Sequence, residues 1–84
     1  MADLAALTAA VEAGNRTAAV AETQAAIDAG IDPKTVLDAM TAAMDVVGRK
    51  FQEGELYVPE VLIAARAMKA GTGILEPLLA AAGV

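Results

Sequence analysis

Three carboxylates, Glu53, Glu55 and Glu60, lie close together around Pro59. Such a set could act as general acid and base, or hold a hard cation through its oxygens. Their neighbours complete neither task. No lysine or amide cluster accompanies them, Glu60 stands where a helix start favours negative charge, and Glu55 falls in a turn. They read as solvated charges. Met40, Met44 and Met68 offer thioether sulfur, but the chain has no cysteine and no histidine to share a soft metal, so these methionines read as core filling. Gly71-Thr72-Gly73 shares letters with a nucleotide-binding loop, yet it sits inside a helical pattern with no strand before it. The missing histidine and cysteine also exclude thiolate zinc sites, disulfides and His-based triads within the chain. No catalytic residue and no metal ligand is assigned.

One constellation stands out by composition. Phe51, Tyr57, Val58, Val61 and Leu62 gather both aromatics of the chain and several branched residues around Pro59. Two readings are open. The cluster is either the core of an ordinary helix-turn-helix, or an outward surface that covers a flat apolar partner. Periodicity does not choose between them.

The elements that position this cluster are helices. Leu4, Leu7 and Val11 recur at helical spacing behind Asp3 as a cap, with Gly14 as the stop. Asn15 or Thr17 caps a second helix striped by Val20, Gln24 and Ile27 and ended by Gly30. Asp32-Pro33 opens a third, whose stripe runs Val36/Leu37, Met40, Met44, Val47, Phe51 before Gly54. Gly48 inside it costs about 1 kcal/mol relative to alanine, which implies a closely approaching backbone. Residues 54–59 form a stiff corner with Val58 extended before its proline. Pro59 and Glu60 open a fourth helix with Val61, Ala65, Met68, Thr72, Leu75 and Leu79 facing inward; Gly71 and Gly73 weaken its second half, and Pro77 predicts a kink or early end. The expected fold is all-α, a single four-helix bundle over residues 1–84.

At 84 residues there is room for one modest core, and a chain this short buries only roughly 60–65% of its unfolded surface. The apolar fraction of 57% is largely alanine, which calls for close helix packing. A formal charge of -5 disfavours nucleic acid and anionic membrane as partners. No apolar run reaches the length of a bilayer span and no basic leader opens the chain, so a cytoplasmic protein is expected.

The string from Val47 to Leu62, with Gly48, Phe51, Gly54-Glu55, Tyr57-Val58 and Pro59-Glu60-Val61, continued by Ala64 to Lys69, closely resembles the helical cap domain of cobalamin-dependent methyl-carrier proteins. These include corrinoid proteins of methanogens and acetogens and the matching module of cobalamin-dependent methionine synthase. The resemblance spans about residues 14–79. It implies a bundle lying over the upper face of the corrin ring and shielding a cobalt-bound methyl group. By position, Phe51 matches the family's covering aromatic, and Val58 and Val61 match the aliphatic residues beside the proline that approach the upper axial ligand. The implied cofactor is cobalamin, and the implied partners are a cobalamin-binding α/β domain and methyltransferase subunits. That α/β domain, with its Asp-x-His-x-x-Gly motif, has no counterpart in this sequence, so the chain alone is not expected to retain cobalamin. The His and Trp of light-sensing relatives are also missing. The alternative expectation is a stand-alone interaction module, a homodimer that pairs the apolar corner.

Overall fold

Residues 4–83 are described by the computed structural model, and among them four helices follow one another: α1 (Leu4–Glu12), α2 (Arg16–Asp28), α3 (Pro33–Gln52) and α4 (Val58–Ala81). The cap expected of Asp3 lies outside the described residues. The later starts have local causes. Asn15 accepts a hydrogen bond from the Ala18 N–H through its side chain, and Asp32 accepts one from Lys34, with Pro33 where a missing N–H leaves nothing unsatisfied. The first three helices end alike. Gly14, for example, takes a φ of 72° that a Cβ would strain; its N–H donates to the Val11 carbonyl and the Asn15 N–H reaches back to Ala10.

Packing sets the order around the bundle. α1 lies against α2 and α3, α4 lies against the same two, and the pairs α1/α4 and α2/α3 are diagonal. The link through residues 29–32 therefore crosses the bundle, whereas 13–15 and 53–57 join neighbours. The core holds Leu7 and Val11 of α1, Ala19, Thr23 and Ala26 of α2, Val36, Met40, Ala43 and Val47 of α3, and Ala64, Ala67, Gly71 and Leu75 of α4. Thr23 is admitted because its hydroxyl donates to the Ala19 carbonyl at 2.7 Å.

Several sequence expectations need correction. On α2 the buried face is Ala19, Thr23 and Ala26, while Val20 and Gln24 face outward and Ile27 is half-buried. Small residues win this face because α2 and α4 pack closely: a Cβ at Gly71 would come within 2.8 Å of Met40 and 2.9 Å of the Thr23 hydroxyl. On α4 Ala64, Ala67 and Gly71 are buried one position before the expected Ala65, Met68 and Thr72, of which Ala65 is exposed and the other two half-buried, while Leu75 is buried as expected. The backbone approach expected at Gly48 is not found: Gly48 is exposed and a Cβ there would meet nothing within 4 Å, and the crowded helical glycine is Gly71, against the Met40 and Thr23 side chains. Pro77 does not end α4, which runs on to Ala81 with Leu75 buried and Leu79 half-buried on either side of it. Val58 is not extended. That conformation falls to Tyr57 (φ -109°, ψ 167°), and Val58 begins the helix with Pro59 second, still within the turn whose N–H groups lack partners.

Candidate functional site

The corner between α3 and α4 is built by three local devices. Gly54 closes α3, with its N–H donating to Phe51 and the Glu55 N–H donating to Lys50. The Glu60 carboxylate accepts from the Tyr57 N–H at 3.0 Å and the Glu60 N–H donates to the Tyr57 carbonyl, fixing the first turn of α4. Ile63 then lies against Gly14, where a side chain would collide with it, so the α1–α2 turn holds the second turn of α4 in place.

On this frame the apolar side chains stay in solvent. Phe51 is 45% exposed, Tyr57 71%, Val58 56%, Leu62 52% and Ile63 46%, whereas Val61 is half-buried. Phe51 is the informative member. It continues the inward stripe of Val36, Met40, Ala43 and Val47, yet is exposed in the last turn of α3. Val58 and Leu62, one turn apart on α4, share a face. Phe51 and Val58, two of the three residues singled out in the sequence, are thus surface residues. Val61 is turned partly inward. Leu62 extends the face of Val58, as its spacing of four allowed, and Ile63 adds apolar surface that spacing alone did not mark.

The surroundings offer no reactive chemistry. Glu53, Glu55 and Glu60 are exposed. Among the described residues no group of His, Cys, Asp or Glu could hold a metal ion, and no buried side-chain polar atom lacks a partner. Among the described residues no helix is long and apolar enough to cross a membrane. What the corner can do is cover an apolar surface and keep water from it.

Residues 4–76 match the B12 binding domain family. The chain belongs to that family, as its helical cap. It is similar to a trimethylamine corrinoid protein of Methanosarcina acetivorans, 47% identical over 53 residues, which are 62% of this chain and 24% of that relative. A corrinoid protein of Desulfitobacterium hafniense is 40% identical over 62 residues, 73% of this chain and 29% of its own length. A monomethylamine corrinoid protein of Methanosarcina acetivorans is 35% identical over 74 residues, 87% of this chain and 34% of its own length. The B12-family cap therefore spans between 24% and 34% of these relatives. No solved structure matches it. The corner fits the cofactor that the family name implies: the face of a corrin macrocycle is broad and apolar, and Phe51, Val58 and Leu62 present apolar surface with no donor or acceptor that would need a partner beneath it.

Proposed function

We propose that the corner of α3 and α4 covers the upper face of methylcobalamin held by a separate α/β domain, within a cobalamin-dependent methyltransferase system. The single observation that carries this reading is Phe51, which leaves the core stripe half-exposed at the end of α3, seven residues before the outward face of Val58 and Leu62 on α4. When bound, the cofactor supplies a transferable methyl group on cobalt. The chain's own side chains exclude water from that face and supply no acid, base or electron. Phe51, Val58 and the outer edge of Val61 are the contacts proposed, joined by Leu62. The methyltransferase subunits would have to reach the same face, so the cap must move aside for transfer.

The test is reconstitution. The chain is mixed with a separately prepared α/β domain carrying methylcobalamin, and binding, the cobalt absorption spectrum and the photolysis rate of the carbon–cobalt bond are followed. Binding with slower photolysis is expected; neither binding nor any spectral or photolytic change would end the proposal. A second reading, self-association through the same corner, is favoured by the exposure of Tyr57 and Ile63. Sedimentation over a range of concentrations separates the two.

A further inference from the structure

Away from the apolar corner, the chain gathers its positive charge in one place. Arg16, Arg66 and Lys69, three of six cationic residues, line a groove of about 450 Å³ whose floor is Ala70 and Gly73. The rest of the chain carries three cations against eleven acidic residues, so the groove is a positive island on a negative protein. All three cationic residues are exposed, and none of their side chains has a hydrogen bond or ion pair with a described residue. Arg16 is the first residue of α2, where its own N–H and that of Thr17 find no acceptor among the described residues, adding partial positive charge.

Gly73 is a second, separate observation. It lies within α4 at a cost of about 1 kcal/mol relative to alanine, is exposed, and a Cβ there would meet nothing within 4 Å. Packing inside this chain does not require it; its effect is to keep the groove floor flat and open. Arg66 to Gly73 spans about 10 Å along the helix, a length suited to an extended occupant more than to one small ion. The groove also continues the corner's outward face, since Val58, Leu62, Arg66, Lys69 and Gly73 follow at steps of four, four, three and four.

We propose that this groove docks an acidic segment of a partner protein, whose Asp and Glu carboxylates meet Arg16, Arg66 and Lys69 while its backbone lies over Ala70 and Gly73. This goes beyond the covering role of the corner and does not depend on it. The overall negative charge weakens long-range attraction to such a partner, so the groove acts through orientation at contact.

The test uses the chain itself, titrated with a short peptide of alternating Asp and Glu, blocked at both ends, while amide resonances are followed by NMR. Matched titrations use a Gln-only peptide and inorganic phosphate. Expected are shifts centred on Arg16, Arg66, Lys69, Ala70 and Gly73, affinity roughly two- to fivefold weaker for each of Arg66→Gln and Lys69→Gln, and further weakening as ionic strength rises. Gly73→Leu should abolish the shifts while leaving the melting temperature unchanged or higher. Equal shifts from the Gln peptide, no shifts at the groove, or phosphate saturating it and displacing the peptide would each overturn the proposal. So would groove shifts that appear with the chain's own concentration, which would make a second copy the occupant. Failure to cover methylcobalamin would leave these shifts in place, so the two readings fail separately.

Discussion

Truncating Phe51 and Leu62 together separates a covering surface from a core. Complete burial of a large apolar side chain contributes roughly 1.5–3 kcal/mol. With Phe51 45% and Leu62 52% exposed, about half of that is already realised in the folded chain. The double variant Phe51→Ala/Leu62→Ala is therefore expected to lose about 2 kcal/mol of folding stability. Were both side chains true core, the loss would be roughly 5–10 kcal/mol, which a domain of this size would not survive. The other half of each side chain is still in water and becomes buried only when the corner is covered, so docking should weaken by about 2 kcal/mol, close to thirtyfold. Urea denaturation measures the first quantity, and titration against an α/β domain carrying methylcobalamin measures the second. A variant that fails to fold, or that folds and docks with unchanged affinity, would refute the reasoning.

Three further outcomes follow from the frame that holds the corner. Glu60→Ala removes the acceptor for the Tyr57 N–H and should cost about 0.5–1 kcal/mol, with faster amide exchange confined to residues 57–61. Gly14→Ala combines a φ of 72° with a collision against Ile63, so a loss of about 1–3 kcal/mol is expected, read as a fall in melting temperature. Glycines inside helices should split by environment: Gly48→Ala gains up to about 1 kcal/mol because its Cβ meets nothing. Gly71→Ala is a net loss, because Met40 is wholly buried and Thr23 is held by its bond to Ala19; opposite signs in paired urea curves are the check.

The ends of α2 and α3 and the stop of α1 were legible in the sequence because they depend on neighbours in the chain, whereas α4 starts one residue before Pro59 and runs through Pro77. Asn15, Asp32, Gly14, Gly30 and Gly54 each act through bonds to residues at most five positions away. The faces were less legible. Large aliphatic residues normally mark the inward side of a helix, but α2 buries Ala19, Thr23 and Ala26 and leaves Val20 outside, because what matters there is how closely α4 can approach. The same gap misplaced the tight glycine. Gly48 and Gly71 are alike to propensity, and only the partner helix distinguishes the one with Met40 and Thr23 against it. The basic groove was hidden for a similar reason: Arg16 lies far in sequence from Arg66 and Lys69, and the packing of α2 on α4 brings them together.

The exposed state of Phe51 has a cause that lies in lengths more than in spacing. α3 has 20 residues and α1, one of the two helices packed on it, has nine. At 1.5 Å per residue these are about 30 Å and 14 Å, so α1 covers at most about half of the inward stripe of α3. Val36, Met40 and Ala43 share a core cluster with Leu7, Ala10 and Val11; Val47 is still buried outside that cluster, and Phe51 is the stripe residue that outlasts its cover. α4, with 24 residues against 13 in α2, overhangs in the same way and carries Val58 and Leu62 in its first turns. An apolar stripe that continues past the helix meant to bury it is unfavourable for an isolated bundle and useful only if something else completes the layer. Among the described residues the mismatch is that between 4–14 and 33–54. Shortening α3 by its last turn would remove Phe51 together with the Lys50 and Phe51 carbonyls that the Glu55 and Gly54 N–H groups bond to close the helix. The covering surface and the corner that presents it are therefore one feature, set by how far α3 extends beyond its partner.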